Sequence, residues 1–155
     1  MGTNGWSTEE LVDRRSISGH LAGVLAAAAV EQAEKMGFPK VAVCVMGIDR
    51  IPLAQLTGGP VILSTVNNAR NKAETALNVG RSTREQKLNM ERLHMDRDDY
   101  GESVKTLFGG GCLLYEDDLK TKVVGSIGVS GAPEEDQDIV CVRHTVGDNS
   151  QLFTD

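Results

Sequence analysis

Apolar positions recur at helical spacing near the start of the chain. Ala22, Leu25, Ala26, Ala29, Ala33 and Met36 fall three or four residues apart, and Glu31, Glu34 and Lys35 take the opposite side. That pattern predicts an amphipathic helix over 17–36. Gly37 and Pro39 supply its stop. The alanines are small enough to let another element come close, either in the same chain or across a subunit boundary.

From Val41 to Met46 the pattern becomes an almost unbroken Val-rich apolar run, which predicts a buried strand. Gly47, Ile48 and Asp49 make a hairpin connection to a second strand over 51–56. Pro52 has no amide hydrogen to give to a ladder, so this strand belongs at a sheet edge or begins there. After the loop Thr57-Gly58-Gly59-Pro60, a second helical stripe runs through Ile62, Val66, Ala69, Ala73, Ala76 and Leu77. Asn67, Arg70, Asn71, Glu74 and Asn78 lie opposite, and Gly80 closes the helix.

The stretch 82–101 is strongly polar and is the segment expected to form a lid. Within it, 85–94 has helical spacing with Met90, Leu93 and His94 facing inward, and Asp96, Asp98 and Asp99 end it. Gly109-Gly110-Gly111 then precede a strand over 112–115, an acidic turn Glu116-Asp117-Asp118 and a strand over 122–129. Pro133 suits the first turn of a last helix, where Glu134, Glu135 and Asp136 match the positive end of its dipole. Consecutive strands joined by short turns predict an antiparallel sheet with helices packed on it, an α+β fold.

At 155 residues the chain has the length of one domain, which typically takes roughly 100–200 residues. The expected boundaries are a flexible arm over 1–15, a single domain over 16–148 and a tail over 149–155. Hydrophobic residues make up 40% and charged residues 25%, an ordinary globular balance that excludes disorder as the main state. With 16 basic against 22 acidic residues the formal charge is −6. A non-specific nucleic-acid binder needs a basic footprint, and none is visible. Attraction to an anionic membrane is disfavoured for the same reason. No run of about 20 apolar residues suggests a membrane span. Residues 1–10 carry no cationic-then-apolar leader pattern. Cys44, Cys112 and Cys141 are widely spaced and form no CxxC pair. They fit a reducing compartment, and a cytoplasmic location is expected.

Two motifs carry a resemblance. They are Asn71-Lys72-Ala73-Glu74-Thr75-Ala76 and Val124-Gly125-Ser126-Ile127-Gly128-Val129-Ser130-Gly131, the latter preceded by Gly110-Gly111 and followed by acidic residues up to Asp136. Over about 17–147 the chain resembles the GlcG/HbpS family, also called the haem-binding or PduO C-terminal-like family. The resemblance implies a profilin-like fold, an antiparallel sheet flanked by helices, and assembly into homo-oligomers. It also implies a link to haem binding, iron or redox sensing and small-molecule catabolic operons. No uniform catalytic set comes with it. The chain departs from the family pattern at Met46-Gly47, where many members end the first strand with an aspartate. It departs again at Thr57-Gly58-Gly59-Pro60, where many carry Arg-Met-Asp-Gly.

Haem iron takes an axial donor from His, Cys, Met or Tyr. His94 lies beside Met95 and near Tyr100, ahead of the glycine run, which makes it the first candidate metal ligand. His20, opening the first helix, is the second. Against both stands the plainer reading of a solvated polar residue. His144 could serve only to complement a helix dipole. Gly110 and Gly111 could present amides to a haem propionate, or could simply make a tight strand entry. The amides at Ser130-Gly131 favour an anion, although Glu134, Glu135 and Asp136 already use that field. The spacing of Gly125, Gly128 and Gly131 is not the dinucleotide fingerprint, which excludes nicotinamide binding. The acidic clusters lack EF-hand spacing. No HExxH, nucleophile elbow or cysteine–histidine pair is present.

The first functional reading is therefore an oligomeric binding protein for haem or a related tetrapyrrole. Its cleft would lie between the second helix and 90–111, with His94, His20, Met95, Gly110, Gly111 and Gly131 around it. The alternative is a cofactor-independent isomerase, hydratase or lyase acting on a small carboxylate or ring compound. That chemistry needs a placed acid and base, and Arg70, Lys72, His94, Tyr100 and Asp136 are the candidates. Against Arg70 and Lys72 stands the plainer reading of solvated charges on a helix face. A purely structural assembly partner is the third reading.

Overall fold

The structure is a computed structural model; it describes residue 5 and residues 8–116, 120, 122–133 and 137. Two helices sandwich a four-stranded antiparallel sheet. In chain order the elements are α1 (Gly19–Lys35), β1 (Ala42–Gly47), β2 (Pro52–Thr57), α2 (Leu63–Val79), α3 (Thr83–Arg92), β3 (Gly111–Tyr115) and β4 (Val123–Ser130), with short 3-10 turns at Thr8–Glu10 and Arg97–Ser103. The strand order is β2-β1-β4-β3, and every neighbouring pair is antiparallel. The expected α+β class holds. Pro52 indeed opens an edge strand.

The ends of α1 follow from its flanks. The Ser18 side chain accepts a hydrogen bond from Leu21 N at 3.1 Å, which satisfies one of the otherwise free amides of the first turn. At the far end Phe38 N donates to Ala33 O and Gly37 N to Glu34 O, with Gly37 at φ +89°. This pair of bonds is a Schellman closure. The alanine stripe is consumed inside the chain: Ala22, Ala26, Ala29 and Ala33 are fully buried, and α1 packs on β1 and β2. The stripe therefore makes no subunit contact.

β1 is covered on both faces, which explains its unbroken apolar run. Val43 and Val45 join the α1-side core with Val129 and Leu114, whereas Ala42, Cys44 and Met46 join Ala69, Ala73 and Ala76 of α2. Across the sheet, α2 lies on β4, β1 and β3, and α3 packs beside it. The approach of α2 is close. A Cβ on Gly128 would stand 2.0 Å from Ala69 O, and one on Gly111 would stand 2.4 Å from Lys72 O. Ser126 Oγ donates to Ala73 O at 2.7 Å across the same contact.

Arg50 ties the β1–β2 turn to the end of α2. Its guanidinium donates to Asn78 Oδ1 at 3.0 Å and to Leu77 O at 3.2 Å. The cation thus complements the negative end of the helix dipole, where α2 has no basic residue of its own.

Three expectations are corrected here. Ile62, counted in the α2 stripe, only flanks the helix and is 71% exposed. Leu93 and His94 do not face inward: α3 ends at Arg92, and His94 takes φ +55° and is exposed. The first half of the 82–101 stretch, over 82–90, is anchored to the body. Ser82 caps α3 by accepting from Glu85 N, and Thr83, Gln86 and Met90 are buried.

Candidate functional site

The segment before α1 crosses the beginning of β4. Ile17 N donates to Val124 O at 3.0 Å, and Ile48 N donates to Ser16 Oγ at 3.1 Å. These bonds hold residues 15–21 against the sheet but leave a groove of about 540 Å³. Ile17, Leu21 and Val124 form its apolar wall, and Arg15, Ser16, Ser18 and Glu116 its polar side. A second groove of about 530 Å³ adjoins it, lined by Asp13, Arg14, Lys122 and Val123 and sharing Arg15, Glu116 and Val124. Arg15 and Glu116 form an ion pair at the shared wall. Both volumes fall in the range of about 300–1,000 Å³ usual for small-molecule sites. A third, shallower groove of about 350 Å³ lies along the outer side of α3, at Arg81, Glu85, Leu88, Asn89 and Arg92.

The candidate residues disperse. His20 is exposed in the first turn of α1, between the groove residues Ser18 and Leu21. His94 is exposed beyond the end of α3. The neighbouring Met95 is half-buried and accepts from the Tyr100 hydroxyl at 3.9 Å. Of the group His94, Met95 and Tyr100, then, only Met95 and Tyr100 meet. Arg70 is exposed on α2. Asp136 and His144 lie outside the described residues, as do Glu134, Glu135, Asp117, Asp118 and Cys141.

Lys72 is inside the protein. It is 3% exposed, and its ammonium donates to Val129 O at 2.9 Å and to the Gln137 side-chain oxygen. It is not on the solvated face of the helix. The glycine candidates have packing reasons. A Cβ on Gly110 would stand 2.6 Å from Val129 O, and one on Gly131, at φ +100°, would stand 2.3 Å from Lys40 O. Gly110 and Gly111 are buried against neighbouring atoms, so the hollow expected beside them is filled. The interface of α2 with 97–105 is likewise closed by bonds, with Lys105 N donating to Thr75 Oγ1 and Asn78 Nδ2 to Ser103 O.

The acidic residues after α3 serve the backbone. Asp96 Oδ1 accepts from Asp98 N, and Asp99 Oδ2 accepts from Asp96 N, a reciprocal capping arrangement. Among the described residues no group of three or more His, Cys, Asp or Glu side chains could hold a metal ion, and no helix is long and apolar enough to cross a membrane. Burial pushes the Cys44 thiol up to about 11, with the Arg70 guanidinium opposing it. A thiol held neutral in this way is a poor nucleophile.

The groove residues Arg15, Ile17, Leu21 and Glu116 are missing from the sequence-based candidates. The available signal was the paired Arg14-Arg15 two residues before Ile17, the first apolar position of the expected first helix, in a stretch assigned to a loose arm.

Solved structures of similar fold exist. A crystal structure of HbpS is 28% identical to this chain, with a TM-score of 0.71 over 86% of this chain and 90% of that one. A double mutant of Streptomyces reticuli HbpS gives 27% identity and a TM-score of 0.72 over 88% and 90%. The crystal structure of a PduOC–haem complex, at 24% identity, shares the fold, with a TM-score of 0.69 over 85% and 94%. No curated protein sequence matches. The model of the family described as haem degrading protein HbpS-like matches residues 17–146, and the chain belongs to that family.

Proposed function

We propose that the protein binds haem, or a closely related tetrapyrrole, in the groove at the start of α1. The observation that carries this reading is the chemistry gathered there. Ile17, Leu21 and Val124 offer an apolar wall for a flat ring, and Arg15 and Lys122 offer cations for acidic substituents. A haem site also needs an axial donor; His20 does not line the groove but is exposed on α1 between Ser18 and Leu21, which do. His20 would be the axial donor and Arg15 the partner of a propionate. Bound haem would supply its iron chemistry. The residues of this chain orient the ring and limit water at one face. Membership of a family described as haem degrading and a shared fold with a PduOC–haem complex support the same ligand class.

The second candidate donor is His94 with Met95. Nothing gathered around it compares with the α1 groove, so His20 takes precedence. The enzyme reading without a cofactor gains no support from the placement of Arg70, Lys72, His94 and Tyr100. The reading also includes a homo-oligomer in the cytoplasm.

Titration with hemin tests the proposal. Saturable binding at low micromolar hemin with a shifted Soret band is expected, and His20→Ala should weaken it and move the band while His94→Ala leaves both unchanged. Absence of a saturable shift, or the reverse order of the two variants, overturns the assignment.

A further inference from the structure

The two grooves meet at one ion pair. Arg15, Glu116 and Val124 line both, and the Arg15 guanidinium is bound to the Glu116 carboxylate there. The three shared residues put the ion pair where the two grooves, of about 530 and 540 Å³, adjoin.

The pair is built to open. The Arg15 side chain is 76% exposed, and an exposed ion pair of this kind is screened by water and contributes little to stability. Arg15 also belongs to the segment before α1, whose hold on the sheet comes from other atoms, Ile17 N and Ser16 Oγ. Breaking the ion pair therefore leaves the segment docked. Glu116 follows the last residue of β3 and has its backbone amide bonded to Lys122 O. Its side chain can swing without disturbing the ladder.

Among the described residues lining the second groove, the cations Arg14, Arg15 and Lys122 face the carboxylates Asp13 and Glu116, and separating Arg15 from Glu116 leaves a guanidinium to take an anion. A carboxylate arriving on a ligand can replace Glu116, which meets Arg15 through Nη1, and can engage the guanidinium through two parallel N–H···O bonds.

We infer that the Arg15–Glu116 pair is a latch over the groove, opened by a ligand whose own carboxylate displaces Glu116 from Arg15. The inference rests on the proposed ligand-binding role of this groove and adds what the ligand's carboxylate must displace to enter it. The guest is a carboxylate-bearing planar compound, and its neutral ester is discriminated against. Glu116 is then a built-in competitor for the same guanidinium.

Hemin and hemin dimethyl ester are the probes, titrated into the full chain and into the Arg15→Met and Glu116→Gln variants. Folding of each variant is checked by circular dichroism. Glu116→Gln should bind hemin about three- to fivefold tighter, and Arg15→Met should bind it weaker by a similar factor, the scale of an exposed charge pair. The ester should bind wild type and both variants alike, and added salt should weaken hemin but not the ester. If wild type binds hemin while both variants match it, the latch is overturned and the haem reading stands. If wild type binds neither probe, both are overturned.

Discussion

Lys72 Nζ donates a hydrogen bond to Val129 O at 2.9 Å, so a lysine on α2 caps the end of the β4 ladder from inside the protein. The same ammonium bonds the side-chain oxygen of Gln137, whose own amide donates to Ala132 O. One buried cation thus joins α2, the end of β4 and the chain beyond it.

Replacing Lys72 by Met keeps the length of the side chain and removes its donors. Val129 O and the Gln137 oxygen then lose a partner in a buried setting. A loss of about 1–3 kcal/mol is expected, the usual cost of orphaning buried acceptors. Urea unfolding followed by circular dichroism measures it as a lower midpoint with an unchanged slope. An unchanged midpoint would show that the ammonium bonds contribute nothing net.

The burial of Lys72 was written in the spacing of α2. Ala69, Ala73 and Ala76 form the buried stripe, and Lys72 sits three after the first and four before the last. The charge of the residue type argued for solvent and outweighed its position. Elsewhere pattern alone was enough: the Val-rich run of β1 is buried on both faces, and Pro52 marks the sheet edge. Ile62 and Leu93 misled because apolar residues at helix margins need not be covered, and they are 71% and 48% exposed. The candidate groove was not legible, because it forms between residues 101 positions apart, Arg15 and Glu116. No local periodicity encodes such a meeting.

Gly128 and Gly23 should respond to alanine in opposite directions. At Gly128 a Cβ meets backbone, 2.0 Å from Ala69 O and 2.8 Å from Ala73 N. Neither atom can yield without moving α2, so a loss of about 3 kcal/mol or more is expected, at the upper end for overpacking. At Gly23, inside α1, nothing lies within 4 Å of an added Cβ. Gly23→Ala should stabilise by about 0.5–1 kcal/mol, because glycine is a poor helix former. Thermal melts of the two variants give the signs directly.

Gln86 is a polar residue that its surroundings do not satisfy. It is 1% exposed, and among the described residues neither Nε2 nor Oε1 has a hydrogen-bond partner. Burying an amide without partners costs free energy that an apolar side chain of the same length avoids. Gln86→Met should therefore raise stability by about 1 kcal/mol, with Gln86→Ala as the contrasting variant that lowers it by opening a cavity. A rise in melting temperature for Met and a fall for Ala are the expected pair. A fall for both would mean that the amide contributes more than its volume.

Cys44 ties stability to alkaline pH. Burial raises its thiol from the ordinary 9.0 to about 11 in the folded protein, while in the unfolded chain it titrates near the ordinary value. Between pH 9 and 11 the folded state holds more protons than the unfolded one. Raising the pH through that window therefore favours unfolding. The contribution is fully present below pH 9 and lost by about pH 11, with a total of roughly 2–3 kcal/mol from the size of the shift. Tyrosines and lysines titrate in the same window, so the wild-type slope alone is ambiguous. The difference between wild type and Cys44→Ala isolates the thiol: the stability gap between them should narrow as the pH climbs from 9 to 11. Alkylation provides an independent reading. At pH 8 the native thiol should react with iodoacetamide far more slowly than the same thiol in denaturant, because only the thiolate attacks and the strand hides it. A gap that stays constant across the window, together with fast native alkylation, would show that the thiol ionises freely and that β1 is not closed on its α2 side.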